Sequence, residues 1–281
     1  MIEDRPSQTA IRVARRRAAH QVIDQPVVFD DPLALALAGI SDLETLKNDP
    51  SEQRPVARML RAFLAARSRF AEDHLARAIE RGTRQYVVLG AGLDTFAYRH
   101  SYGRELRVFE VDYPATQAWK RARLADAGID IPPTVRHVAV DFEREAAFDA
   151  LAAAGFDAAA PAFFSWLGVT VYLSELTVLT VLESIAGLAR GSGIAFDYAI
   201  DPSPLSERAR RAVEVVAARA AAAGEPWTLF FDPEPLRARL RGWGFTTVED
   251  LDGAAINRRY FAGRPDGLRV GGVGRLAYAG T

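Results

Sequence analysis

The chain contains no cysteine. That removes disulfides, thiolate metal sites and cysteine nucleophiles together. Its four histidines, His20, His74, His100 and His137, are scattered without metal-ligand spacing, so no metal is expected. The only lysines are Lys47 and Lys120, and neither follows a tyrosine by four residues, so the acid–base pair of a short-chain dehydrogenase is missing. No G-x-x-x-x-G-K-[ST] loop and no G-x-S-x-G elbow occurs, which excludes a phosphate-cradling nucleotide hydrolase and argues against an α/β-hydrolase. No apolar run reaches membrane-spanning length and no signal-peptide h-region opens the chain. The expected location is the cytoplasm, with no membrane partner. A formal net charge of −1 gives no electrostatic reason to expect nucleic acid.

With 49% hydrophobic residues, the 281-residue chain can bury a sizeable core, as one large domain or one domain with an added cap. The stretch on which the rest turns is Tyr86-Val87-Val88-Leu89-Gly90-Ala91-Gly92-Leu93-Asp94-Thr95. A short apolar run, long enough for a buried strand, breaks into two glycines, where a ligand can approach the backbone closely. A tight strand-to-loop turn is the plain alternative. Glu110 and Asp112 end the next strand about twenty residues after Gly92, where a carboxylate would meet ribose hydroxyls. A dinucleotide fingerprint needs a third glycine at position 95, facing a pyrophosphate. Position 95 is threonine, and Asp94 would set a negative charge against that diphosphate. For S-adenosylmethionine, with its cationic amino and sulfonium groups, the same carboxylate is attractive.

Periodicity predicts an amphipathic helix over Ser7 to Ile23, with Arg12, Arg15, Arg16 and Arg17 forming a solvated face more readily than a nucleic-acid patch. Phe29-Asp30-Asp31-Pro32-Leu33 reads as a turn opening a short helix with proline at its first position. Pro50 to Thr83 reads as the longest helix, capped by Ser51 and ended by Gly82. Strands at 106–111, 135–140, 161–167 and 193–198 alternate with helices at 114–127, 142–154 and 174–190. This βαβ alternation implies a parallel sheet with helices on both faces. A helix at 206–223, the aromatic segment Trp227-Thr228-Leu229-Phe230-Phe231 and a short helix from Asp232-Pro233 come next. Two closing strands, 245–251 and 268–278, read as an antiparallel edge pair.

On these residues the chain resembles the leucine carboxyl methyltransferase family of class I S-adenosylmethionine-dependent methyltransferases. It is similar above all to the bacterial branch that includes tetracenomycin-type polyketide O-methyltransferases. The likeness runs from Thr9 to Tyr278 and is carried by Leu89 to Thr95 with Tyr98-Arg99, by Glu110-Val111-Asp112-Tyr113-Pro114, by Gly168-Val169-Thr170-Val171-Tyr172-Leu173 and by Arg259-Tyr260-Phe261-Ala262-Gly263-Arg264. The resemblance implies an α/β, Rossmann-like fold with a mostly parallel seven-stranded sheet. It implies an N-terminal helical cap over residues 1–83 and a cofactor-binding core over 84–281, with an acceptor-pocket insertion near 199–231.

By the same resemblance Arg67 would hold the cofactor's methionine carboxylate, a bidentate task suited to guanidinium. Gly90 and Gly92 would let the backbone lie against the methionine and ribose. Asp112 would accept from the ribose hydroxyls, and Asp141 with Phe142 would frame the adenine, although Asp112 and Asp141 are also plausible helix caps. Ala91, Asp94, Glu110, Tyr113, Ser165 and Trp166 complete the expected cofactor set. Two positions depart from the eukaryotic members. Leu167 stands where they carry an acid, and Asp30 where family members carry a basic residue, so recognition of a protein C-terminus does not carry over.

The expected activity is O-methylation of a small-molecule acceptor, foremost a carboxylate giving a methyl ester, of a kind met in secondary metabolism. A carboxylate needs no general base, only a cation or donor to fix it, and Arg17, His20 and Tyr172 are the candidates. A phenolic acceptor would need a base, for which His20 is best suited. Trp227, Phe230 and Phe231 could cover an aromatic acceptor. A nicotinamide-dependent oxidoreductase and a non-catalytic S-adenosylmethionine-binding protein are the alternatives from other classes.

Overall fold

A computed structural model describes residues 7–281. Five helices precede the first strand: α1 (Gln8–Ile23), α2 (Ala34–Ala38), α3 (Leu43–Lys47), α4 (Pro50–Gln53) and α5 (Pro55–Glu80). Ser7 caps α1 by accepting from the Ala10 amide. The helix expected over Pro50 to Thr83 is two helices, because Pro55 cannot continue an i→i−4 ladder and starts α5 afresh. The cap of α4 is Asp49, not Ser51, whose amide Asp49 binds at 2.8 Å. Pro32 likewise lies in the turn ahead of α2, which begins at Ala34.

The core runs β1 (Gln85–Leu89), α6 (Phe96–Arg99), β2 (Arg107–Asp112), α7 (Pro114–Asp126), β3 (Val135–Ala139), α8 (Ala147–Ala153), β4 (Ala162–Trp166), α9 (Glu175–Ala186) and β5 (Gly193–Ala199). It closes with α10 (Glu207–Ala221), α11 (Pro233–Gly242), β6 (Thr247–Leu251), α12 (Gly253–Tyr260) and β7 (Gly274–Gly280). The strands form one seven-stranded sheet in the order β3-β2-β1-β4-β5-β7-β6. The strands β1 to β5 pair in parallel, and β7 runs antiparallel to both β5 and β6. The closing strands are the expected antiparallel pair at one edge of the sheet, with β7 wedged between β5 and the outermost β6. The strand order reverses direction between β1 and β4, and there the carboxyl ends of the strands open a crevice.

Alternating side chains feed two cores. Val87, Leu89, Phe109, Phe164 and Trp166 pack on one face with α8, α9 and α11. Tyr86, Val88, Val108, Phe163 and Ala195 pack on the other, against the apolar stripe of α5. Two elements differ from expectation beside the crevice. The helix expected from Phe142 begins only at Ala147, leaving residues 141–146 as a turn at the end of β3. In the aromatic segment Leu229 and Phe231 are core residues and Phe230 is exposed, so only Trp227 faces a cavity.

Among the described residues no helix is long and apolar enough to cross a membrane.

Candidate active site

Two joined cavities lie over the carboxyl ends of β1, β4 and β5, roofed by α1 and the segment that follows α10. The larger, about 460 Å³, is floored by Gly90, Ala91 and Gly92 and walled by Asp94, Asp112, Tyr113, Asp141 and Phe142. Ser165, Arg67, Arg17, Tyr172 and Glu225 also line it. This is the size of a small-molecule or cofactor site.

Asp112 ends β2 and is buried. Its Oδ2 accepts from the Gly92 amide at 2.5 Å and its Oδ1 from the Tyr113 amide at 2.7 Å. Burial pushes its carboxyl up to about 6, and the two amides only partly offset this. A buried carboxylate facing a cavity is short of donors, and a vicinal diol would supply them. Gly90 and Gly92 both hold positive φ, at 65° and 48°, so the loop turns as only glycine does readily. Asp141 stands at the turn after β3, where its Oδ1 accepts from the Glu143 amide at 3.1 Å. Ser165 exchanges a hydrogen bond with the Tyr86 hydroxyl at 2.7 Å.

Arg67, on α5, is buried and donates from Nη1 to Asp197 Oδ2 at 3.2 Å. Asp197 Oδ1 also accepts from the Gly168 amide. Gly168 has φ +74°, and a Cβ there would stand 2.5 Å from Arg67 Nη1 and 2.9 Å from its guanidinium carbon. The guanidinium thus lies close against a bare backbone, oriented by one carboxylate. Asp197 was not foreseen; its signal was a lone acid inside the apolar run Gly193 to Tyr198. Glu225, buried in the turn before Trp227 and bound to the Thr9 amide at 3.2 Å, had no comparable signal.

Four expected site residues are placed otherwise. Glu110 shares a face with Asp112 but sits one pleat back beneath α7. There its Oε1 meets Lys120 Nζ at 2.8 Å and its Oε2 accepts from the Tyr98 hydroxyl at 2.8 Å, so it does not reach the cavity. Trp166 follows Ser165 and therefore points to the opposite core, against Phe142 at 5.9 Å between ring centres. His20 is buried away from both cavities: Nδ1 faces Asp24 at 3.0 Å and Nε2 accepts from the Val28 amide at 3.0 Å. Both ring nitrogens are occupied, so His20 is a fastener and not a base. Arg17 does line the cavity, but its terminal nitrogens are taken by Asp31 at 2.6 Å, Thr95 at 3.1 Å and Asp94 at 3.2 Å. It pins α1 to the glycine loop, and its Nε alone is left buried without a partner. Asp94 is pushed up by burial and pulled down further by Arg17, Lys120 and Arg99, so it stays below the usual carboxylate range. Its charge is shared with Arg17 and is not free to attract a cation.

The second cavity, about 210 Å³, opens beside Arg67 and Gly168 and runs between α1, α5 and α10. Val13, Met59, Phe63, Val213, Val216 and Trp227 make it mainly apolar. Tyr172 stands at the junction of the two, in a short 3₁₀ turn (Thr170–Tyr172). Burial raises its phenol above the ordinary value, so it keeps its proton. Trp227 and Thr9 stand beside its hydroxyl, yet the Trp227 Nε1 and Thr9 Oγ1 atoms are buried without a complete hydrogen bond.

A family model described as leucine carboxyl methyltransferase matches residues 10–186. The chain belongs to the leucine carboxyl methyltransferase family. A Bacillus subtilis protein named "Putative S-adenosyl-L-methionine-dependent methyltransferase YktD" is 33% identical, with 95% of each chain covered. A Saccharopolyspora erythraea relative, a "Putative S-adenosyl-L-methionine-dependent methyltransferase", is 36% identical over 67% of this chain and 66% of its own. The crystal structure of a "putative methyltransferase" from Thermobifida fusca shares the fold at a TM-score of 0.57 and 21% identity, covering 100% of this chain and 96% of that one. The protein is thus an S-adenosylmethionine-dependent methyltransferase, and the nicotinamide alternative falls. The larger cavity fits that cofactor on its own chemistry: Asp112 lacks donors that a ribose would bring, and the Arg67 guanidinium lies where a carboxylate can pair with it.

Proposed function

We propose that the enzyme transfers the methyl group to the oxygen of a small-molecule carboxylate whose apolar body occupies the second cavity. The observation that carries this reading is the polar group at the junction: the Tyr172 hydroxyl with Thr9 Oγ1 and Trp227 Nε1 beside it, the latter two buried without a complete hydrogen bond. Buried donors without partners cost free energy of about 1–3 kcal/mol each, and their persistence asks for an acceptor. A carboxylate only accepts, and accepts at several points, so it suits a junction that offers the Thr9 and Trp227 donors beside a protonated Tyr172.

S-adenosylmethionine, when bound, supplies an electrophilic methyl carbon on a positively charged sulfur. The chain's own work is placement. Asp112 and the glycine loop hold the ribose side, Arg67 the carboxylate side, and the junction donors aim one acceptor oxygen along the line of displacement. No histidine lines either cavity among the described residues. A group that is already ionised at neutral pH needs none. An apolar carboxylic acid of this kind suits secondary metabolism.

A phenolic acceptor is the second reading, and Glu225 favours it as a buried carboxylate at the rim that could take a proton. Methyl transfer from labelled S-adenosylmethionine to paired panels of apolar carboxylic acids and phenols separates them. The carboxylate reading expects label released by mild alkali, as an ester gives it up. Base-stable label on phenols alone, lost in Glu225→Gln, would refute it.

A further inference from the structure

The second cavity is apolar along its walls but not at its far end. One face of α1 lines it through Thr9, Arg12, Val13 and Arg16, and the outer turns of α10 contribute Arg219. Arg12 and Arg219 are exposed and no carboxylate pairs with either among the described residues. Arg12 Nη1 donates to the Arg219 carbonyl at 2.8 Å, which brings the two guanidinium-bearing helices together. Arg16 is held by Glu52 at 3.2 Å, yet burial and the neighbouring Arg61, Arg219 and Arg15 together lower its pKa. Among the described residues the one acid lining this cavity, Asp197, lies at the opposite end and is engaged by Arg67. Capping of α10 accounts for one nitrogen of Arg12 and leaves the Arg219 guanidinium and the local excess of positive charge unexplained.

Thr9, at the junction donors, and Arg16, at the far end, are seven residues apart on α1, which is about 10 Å at 1.5 Å per residue. We infer that the acceptor is a two-headed molecule: besides the oxygen that is methylated it carries a second anionic group toward the far end of this cavity, which pairs with Arg12 and Arg219. This rests on the reading that the second cavity holds the acceptor, and it narrows the substrate class from an apolar acid to an apolar dianion. The outer arginines select against acceptors that end in a neutral or cationic group, because such ligands leave the positive cluster uncompensated.

The test compares two product-like probes of one length, monomethyl octanedioate and dimethyl octanedioate, by calorimetric titration into protein saturated with S-adenosylhomocysteine. The half-ester keeps one carboxylate for the arginines and the diester has none. The wild type is expected to bind the half-ester about tenfold more tightly at low salt, a preference that shrinks as ionic strength rises. Arg12→Gln with Arg219→Gln is expected to bring the half-ester down to the diester's affinity while S-adenosylhomocysteine binding is unchanged. Both positions are exposed, so the fold is not at risk, and the salt series on wild-type protein is a check that needs no variant. Equal binding of both esters by the wild type, or a preference that survives the double substitution, overturns the second anion and leaves the carboxylate reading standing. Binding of S-adenosylhomocysteine with neither ester bound removes the acceptor cavity itself and the inference with it.

Discussion

As the proposed acceptor of the ribose diol, Asp112 is expected to tie cofactor affinity to pH, and the size of the effect follows from its surroundings. Burial holds its carboxyl at about 6 in the ligand-free protein, against 3.8 for an ordinary aspartate. A diol donating into it stabilises only the ionised form, so binding requires the proton to leave. At pH 5 only about a tenth of the molecules would carry the charge, and affinity for S-adenosylhomocysteine should fall about tenfold between pH 7 and pH 5, or about 1.4 kcal/mol. Above pH 7 it should be flat. The sign for folding is opposite to that of a salt-bridged acid. A raised folded pKa means that the native state holds the proton longer than the unfolded chain. The group's contribution is therefore most favourable below about pH 4, is lost between pH 4 and 6, and leaves a charge buried above that, at a cost of about 3 kcal/mol. Asp112→Asn should remove the pH dependence of stability between pH 4 and 6, while the asparagine NH2, set against one of the two backbone amides that Asp112 accepts, offsets the relief of the buried charge; it should erase both the tight binding and its pH slope. Calorimetric titrations at pH 5, 6, 7 and 8, with melting curves of both proteins, provide the check. A flat wild-type profile, or an equal slope in the asparagine variant, would refute the assignment of Asp112 as the diol acceptor.

Three further expectations concern neighbouring residues. Gly168→Ala puts a methyl group into the Arg67 guanidinium at a positive φ, so it should cost about 1–2 kcal/mol in backbone strain alone and weaken S-adenosylhomocysteine further; Gly82→Ala, with open space around it, should show only the strain. Asp24→Ala leaves the fully buried Arg61, which Asp24 holds at 2.9 and 3.0 Å, with Glu52 alone at 3.1 Å, and should lower stability by up to about 3 kcal/mol by denaturant titration. His20→Gln should lower the melting temperature but leave the pH dependence of methyl transfer unmoved; loss of an acid limb from that profile would restore His20 as a base.

The parts of this site that are local in the chain were legible in the sequence. The turn at Gly90 to Gly92 and the carboxylate of Asp112 needed only strand ends and loop chemistry. Depth along a strand was not legible: Glu110 has the right face and the wrong level, because Lys120 comes back from the following helix to claim it. Trp166 failed by the same period of two that favoured Ser165. His20 and Arg17 were read as free chemistry because their partners, Val28 and Asp31, lie across a turn whose path the sequence does not reveal. The helix α12 was missed although Asp252 caps it, since the arginines that follow drew attention as a family motif. The wedge of β7 rests on pairing with β5 some eighty residues earlier, which no local pattern encodes.

That wedge bears on how the protein can be made. A ribosome delivers β6 before β7, yet β6 reaches the sheet only through β7. Until the last strand emerges, β5 has one bare side and β6 has no place in the sheet, so the cofactor's floor is built while a row of unpaired backbone waits beside it. Such exposed edges invite mispairing in crowded translation. Fragments ending anywhere before residue 274 should therefore aggregate rather than bind S-adenosylhomocysteine, even though every residue assigned here to that ligand precedes α10.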